Sequence, residues 1–269
     1  MGTEALLLGI VQGITEWLPI SSEGINTLLL VNIFQKPVED AILISLWLHG
    51  GTFLAALVFF RRDIAQLLGH IPHYLGELRG GQVGPLGNTL SFLILATGPS
   101  GLLGLPLLLL TIREKEFSSP YLVTAALGGL LIISGLVQRL ARTRVGVRGQ
   151  ASTGDGLVVG LAQAVSVLPG LSRSGLTVSA LLLLGIHPSQ AIRLSFLMSL
   201  PAVLGLMSWF LVTGQGHFAV QDLAGLGTAF VFGLLTIGLL TRAAQRVAFW
   251  KFCLFMGGLS LVPLLLKLV

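Results

Sequence analysis

The sequence predicts an all-α integral membrane protein with six transmembrane helices and two re-entrant helical hairpins, arranged as an inverted-topology repeat. Three observations predict it. Apolar residues make up 54% of the 269-residue chain and charged residues 10%, with a mean hydropathy of +0.90; an ordinary soluble domain carries about 25% charge. Six apolar runs have the roughly 20-residue length that a bilayer core demands. Two further apolar stretches are broken in the middle by polar residues, Pro and Gly. This composition excludes a soluble globular domain, a disordered tail and a nucleic-acid-binding domain. The pI near 10 arises from 16 Lys and Arg against 11 Asp and Glu, most of them clustered between the apolar runs as in basic loops. The single cysteine, Cys253, cannot form an intrachain disulfide. One membrane domain, 1–269, is the economical organisation.

The first apolar stretch, 5–34, follows Glu4 rather than a basic cluster, which argues against a cleavable signal peptide. Gln12, Glu16, Pro19 and the run Ser21-Ser22-Glu23 interrupt it. Spans are expected at 41–60, 89–112 and 120–138, then at 194–213, 223–241 and 247–266. Among them only Lys251 carries a permanent charge, near an end where it can snorkel. Between the two sets of three lies the second broken stretch, 156–186, interrupted around Pro169, Gly170 and Arg173. Neither half of a broken stretch is long enough to cross comfortably. Each is therefore expected to enter, turn and leave on one side, which irregular backbone tolerates only beside protein or a wet cavity.

The connections 61–88, 139–155 and 242–246 read as loops on one side. With Arg193 and Lys251 they hold 11 basic residues, against Lys36, Arg113, Lys115 and Lys267 on the other side. The positive-inside rule then places both termini outside the cytoplasm, in the plasma (inner) membrane. Arg173 alone is left inside a break.

The two broken stretches resemble each other. Gly9-Ile-Val-Gln12, Leu18-Pro19 and Ser21-Ser22-Glu23-Gly24 answer Gly160-Leu-Ala-Gln163, Leu168-Pro169 and Ser172-Arg173-Ser174-Gly175. Ala5, Gly9 and Gly13 answer Gly156, Gly160 and Ala164, a small-residue spacing that lets helices approach closely. Each copy, about 1–140 and 150–269, is followed by three spans. An odd number inverts the second copy, so the hairpin tips can meet near mid-membrane, where such repeats place a ligand. Exposed small-residue faces permit a homodimer.

A carboxylate in an apolar segment must face a cavity or a partner, so Glu16 is expected to do so, with Gln12 four residues earlier on its own helix face. Arg173 is equally costly and needs an anion: Glu16, Glu23 or a ligand. Its planar fork suits phosphate oxygens. Ser172, Ser174 and Thr177 add neutral donors, and Gly170 allows close backbone approach. This reads as a phosphate cradle facing a carboxylate. A second reading remains open, in which Glu16 and Arg173 form only a structural ion pair between the hairpins. Likewise, Ser21 and Ser22 are open to a capping role, and His49 to that of a satisfied polar group.

The segment Gln12-Gly-Ile-Thr-Glu16-Trp-Leu-Pro19-Ile-Ser21-Ser22-Glu-Gly24 resembles the first signature of the undecaprenyl-pyrophosphate phosphatases of the BacA/UppP type. Pro169-Gly170-Leu-Ser172-Arg173-Ser174-Gly-Leu-Thr177 is similar to their second signature. The resemblance covers essentially the whole chain. It implies a membrane hydrolase that removes the terminal phosphate of a polyprenyl diphosphate, recycles the lipid carrier of cell-wall synthesis and confers bacitracin resistance. It also implies the fold of six spans and two hairpins. Residue by residue, Glu16 matches the essential carboxylate, Gln12 a Glu-or-Gln position, Ser22 a proposed nucleophile and Arg173 the phosphate-binding arginine. The resemblance further implies metal stimulation by Mg²⁺ or Ca²⁺, ions that favour carboxylate and phosphate oxygens. Glu16 is the site residue placed for such an ion, but with Gln12 it makes a poor cage, so the ion would lean on the substrate. One departure matters. Bacterial members follow Ser-Ser-x-Gly with a histidine, whereas Ile25 stands here, followed by Asn26. His49, beside Gly50-Gly51, is the expected substitute, pointing into the same cavity. The competing reading is a transporter or flippase of polyprenyl phosphate lipids that uses the same anion site.

Overall fold

The computed structural model describes residues 2–113, 120–144, 146–214 and 220–268. Among these residues the chain is all helical, with a single isolated bridge between Arg148 and Ile186. The first half holds α1 (Gly2–Thr15), α2 (Ser22–Asn32), α3 (Val38–Phe59), α4 (Arg61–Gly80), α5 (Pro85–Arg113) and α6 (Pro120–Arg142). The second holds α7 (Thr153–Val165), α8 (Arg173–Leu183), α9 (Pro188–Thr213), α10 (Val220–Arg246) and α11 (Phe249–Leu268).

Among the described residues six helices are long and apolar enough to cross a bilayer: α3, α5, α6, α9, α10 and α11. They coincide with the six expected spans and extend beyond most of them. Apolar side chains such as Leu102, Leu235 and Phe255 point outward, as a lipid-facing surface requires. The four helices of the two broken stretches are short. At 1.5 Å per residue, α1 and α7 reach about 20 Å and α2 and α8 about 17 Å, short of a bilayer core of about 30 Å.

Packing follows the small-residue spacing. α1 lies along α10, α7 along α5, and α6 along α11. A Cβ added at Gly9 would stand 2.3 Å from Gly225 O, and one at Gly160 2.5 Å from Ala96 O. The helix backbones approach too closely at these points for any side chain.

The stretch 61–88, expected to be a loop, contains α4. Its apolar residues recur with helical spacing at Ile64, Leu67, Ile71, Leu75 and Leu78, among polar residues that mask the pattern. Leu67 and Tyr74 are buried, Tyr74 shares a 2.9 Å hydrogen bond with Ser91, and Arg193 Nε donates to Asp63 at 2.7 Å, tying α4 to α9. The basic residues gather at helix ends. Arg142 donates to Arg246 O at 3.0 Å and Arg139 stacks on Trp250, while at the opposite end of α11 Lys267 lies over Tyr121. Lys115 lies outside the described residues.

Candidate active site

The two breaks meet at the centre of the fold. Ser21 takes φ = 62°, a left-handed turn that lets its Oγ accept from Gly24 N–H at 3.2 Å and cap α2. In the second break Gly170 takes φ = 98°, and Ser172 Oγ accepts from Gly175 N–H at 3.0 Å to cap α8. The tips touch, with Ser21 Oγ donating to Leu171 O at 3.5 Å. A Cβ at Gly24 would lie 3.0 Å from Gly170 Cα. Thus the N-termini of α2 and α8 converge on one polar pocket of about 280 Å³, lined by Ser22, Glu23, Arg173 and Ser174 from their first turns. The leading N–H groups of a helix have no intrahelical partner and carry partial positive charge, so two such ends form an anion site.

Glu16 holds this pocket together. One carboxylate oxygen pairs with Arg173 Nη2. The other accepts from Ser22 O–H at 2.6 Å and from Gln12 N–H at 2.9 Å, and lies 3.3 Å from His49 Nε2. The orientation of the imidazole is set by Ser45 O, 3.0 Å from Nδ1. A carbonyl only accepts, so Nδ1 carries the hydrogen and Nε2 is the nitrogen aimed at Glu16. The Gln12 amide is set the same way: Asn26 Nδ2–H donates to Gln12 Oε1 at 2.9 Å, which turns the Gln12 N–H group toward the carboxylate.

Of the residues expected at the site, Glu16, Ser21, Ser22, His49, Ser172, Arg173 and Ser174 line the pocket. Gln12, Thr177 and Gly170 stand behind it. Thr177 O–H donates to Arg173 O at 2.8 Å and pairs with Ser195, so its hydroxyl supports the arginine rather than facing the pocket. Ser21 and Ser172 spend their oxygens as helix caps. Sequence reasoning named Glu23 only as a possible partner of Arg173 and gave no role to Asn26 or Ser166. A second acid in the first break was a signal for Glu23; Asn26 carried none, because its pairing depends on how α2 is rotated against α1.

Two buried atoms at the pocket have no hydrogen-bond partner among the described residues, Arg173 Nη1 and Glu23 Oε1. Unsatisfied buried polar atoms are rare in native folds and mark places where a ligand or water belongs. A larger apolar cavity of about 1120 Å³ adjoins the pocket and shares Glu23, His49, Ser166 and Arg173 with it. Leu105 and Leu108 of α5 and Val203 and Leu206 of α9 wall it. The donors do not fit a metal ion held by protein alone. Among the described residues no three His, Cys, Asp or Glu side chains are grouped to bind one, and both Glu16 oxygens are engaged.

The sequence matches the family described as bacitracin resistance protein BacA over residues 5–262. The chain belongs to the BacA family. Similar proteins named undecaprenyl-diphosphatase occur in Methanococcoides burtonii (43% identical over 98% of both chains) and Methanothrix thermoacetophila (37%, over 96% of this chain and 95% of the relative). Another, from Haloarcula marismortui, is 36% identical over the same shares. In this BacA chain Ile25 brings no protic group to the pocket, and the imidazole arrives from α3 through His49.

The amide relay gives a stability prediction. Asn26→Leu leaves Gln12 Oε1 buried without a donor, which is expected to cost about 1–3 kcal/mol. Thermal unfolding in detergent is the measurement, with a lowered midpoint expected.

Proposed function

We propose that this chain is a membrane phosphatase that hydrolyses a polyprenyl diphosphate of the undecaprenyl type to the monophosphate and phosphate, returning the lipid carrier for reuse. The observation that carries the reading is the 2.6 Å hydrogen bond from Ser22 O–H to Glu16, whose other oxygen holds Arg173. A nucleophile and a phosphate-binding cation thus share one carboxylate, which serves as the base. The names of the relatives support the same reaction. A flippase needs an anion site but no such nucleophile–base pair, so this arrangement favours the phosphatase.

In this reading the terminal phosphate occupies the polar pocket against Arg173 Nη1 and the N-termini of α2 and α8. Ser22 Oγ attacks phosphorus in line, its proton passes to Glu16 Oε2, and the bond from phosphorus to the bridging oxygen breaks. The departing lipid phosphate carries that oxygen toward the apolar cavity. Gln12 and His49 hold Glu16 in place, and His49 Nε2 is close enough to exchange a proton with it. His49→Phe is expected to lower kcat by about 10²-fold or more, with a smaller loss in His49→Gln, which keeps a polar group toward Glu16. Mg²⁺ or Ca²⁺ would be held by the diphosphate oxygens rather than by a protein cage, and would offset phosphate charge.

The prenyl tail lies in the apolar cavity and leaves between α5 and α9. Gly205 of α9 lines this cavity, and a Cβ there meets nothing within 4 Å. Gly205→Phe is expected to raise KM for a long-chain diphosphate and leave that for a short-chain one unchanged. Equal effects on both would place the tail elsewhere.

Six spans with both termini outside the cytoplasm, in the plasma membrane, complete the proposal, with the two broken stretches as re-entrant hairpins of an inverted repeat. Reciprocal pairings support the repeat: α1 on α10, α7 on α5 and α6 on α11. So do two buried hydroxyl pairs, Thr27 with Ser45 and Thr177 with Ser195, each 18 residues apart. Open positions at Gly129 and Gly258 on α6 and α11 leave room for a second copy. The deciding experiment gives purified protein a polyprenyl diphosphate in detergent with Mg²⁺ and measures phosphate. Release supports the phosphatase. No release, with movement of the lipid across reconstituted vesicles, replaces it with the transporter.

A further inference from the structure

Glu23 has no task in the first half-reaction, yet it is buried with one carboxylate oxygen unpartnered. It also stands where the polar pocket joins the apolar cavity, a junction shared only with His49, Ser166 and Arg173 among the residues lining both. This position matters for the second half-reaction. In-line displacement places the entering and leaving oxygens on opposite sides of phosphorus. Once the lipid phosphate has departed toward the apolar cavity, water must take the place it vacated, opposite Ser22 Oγ. The base for that water must therefore stand at the junction.

Three of the four junction residues are unsuited to it. His49 Nε2 faces Glu16 Oε2 at 3.3 Å, Ser166 O–H donates to Gln163 O at 2.7 Å, and the Arg173 guanidinium has no acceptor. Glu16 is unavailable as well. It sits on the Ser22 side, holds the proton taken from the serine and remains paired with Arg173.

We propose that Glu23 is a second catalytic carboxylate, the general base that activates the water hydrolysing phosphorylated Ser22. The proposal rests on the phosphatase reading with Ser22 as nucleophile. The water oxygen bonds to phosphorus while its proton passes to Glu23 Oε1. The bond from phosphorus to Ser22 Oγ breaks, and that oxygen takes back the proton held by Glu16. Inorganic phosphate leaves with the proton from Glu23, and the serine and both carboxylates are restored. Two carboxylates thus serve two steps, one on each face of the phosphoryl group.

The test uses the full-length chain in detergent with a polyprenyl diphosphate radiolabelled in its terminal phosphate. Glu23→Gln keeps the size of the side chain but cannot accept the proton. It is expected to release one equivalent of lipid monophosphate, retain the label on Ser22, and release phosphate about 10²–10⁴-fold more slowly than wild type. Glu23→Asp, which keeps a carboxylate, is expected to accumulate less label and turn over faster than Glu23→Gln. Should Glu23→Gln fail to fold, Glu23→Asp alone is read, with slowed release and label on Ser22 expected. Wild-type phosphate release in Glu23→Gln overturns the proposal, as does slowed release with no label on Ser22 in either variant. Failure of the underlying reading is distinguishable: wild-type protein would then release no phosphate, or Ser22→Ala would release it at the wild-type rate.

Discussion

Glu16→Gln is expected to reduce phosphate release from polyprenyl diphosphate by about 10²–10⁴-fold, the range associated with loss of a positioned base. The amide fills the same space and still accepts from Ser22, but it cannot take the serine proton. It also leaves the Arg173 charge without its counterion. Breaking a buried pair from one side costs about 3–5 kcal/mol in general. The Arg173 side chain keeps 17% exposure, so a folded protein with a lowered unfolding midpoint is expected. The pair of readouts separates the roles: a structural ion pair alone predicts the lowered midpoint with release per folded molecule near wild type. Glu16→Asp, which shortens the side chain but keeps the charge, is expected to fall between wild type and Glu16→Gln in release.

Arg173→Ala carries the second largest expected effect. Arg173 uses Nη2 on Glu16 and leaves Nη1 buried and unpartnered, so one guanidinium both orients the base and awaits the phosphate. Removing a donor aimed at developing charge costs about 10²–10³-fold in kcat, and loss of the cation also weakens binding, so kcat falls and KM rises together. Arg173→Lys restores charge but not the fork, because an ammonium is a point donor that cannot hold Glu16 and a phosphate oxygen in fixed relation. It is expected to recover KM more than kcat. Steady-state kinetics over substrate concentration is the check, and an Arg173→Lys enzyme with wild-type kcat would remove the two-handed role.

The spans were legible because each is an uninterrupted apolar run, and length alone separates them from the short helices of the breaks. Glu16 and Arg173 were legible because charge in an apolar segment demands a reason. α4 was not, although its apolar residues keep a helical period. Arg61, Arg62, Asp63, His70, Pro72 and Glu77 crowd the same stretch and look like a solvated loop, and only burial of Leu67 and Tyr74 against the span bundle reveals the helix. His49 could be named as the substitute for the missing motif histidine, but its tautomer and aim depend on a carbonyl, Ser45 O, that has no sequence signature. The clearest gap is between Ser21 and Ser22. Adjacent serines at a helix start look interchangeable, yet the left-handed turn at Ser21 sends one hydroxyl to Gly24 N–H and frees the other for Glu16. The placing of Glu23 and Asn26 was illegible for a related reason: what each does follows from the rotation of α2, which is fixed by packing against α3, α1 and α6.

The most direct test of the central claim is an experimental structure of the chain with a non-hydrolysable polyprenyl methylenediphosphonate. The terminal phosphonate is expected in the polar pocket, held by Arg173 and the N-termini of α2 and α8. Ser22 Oγ is expected about 3–3.5 Å from the terminal phosphorus, in line with the bridging carbon, with the prenyl chain running between α5 and α9. A headgroup bound away from Ser22 and Arg173, or one in the pocket with Ser22 Oγ turned away from phosphorus, would contradict the claim.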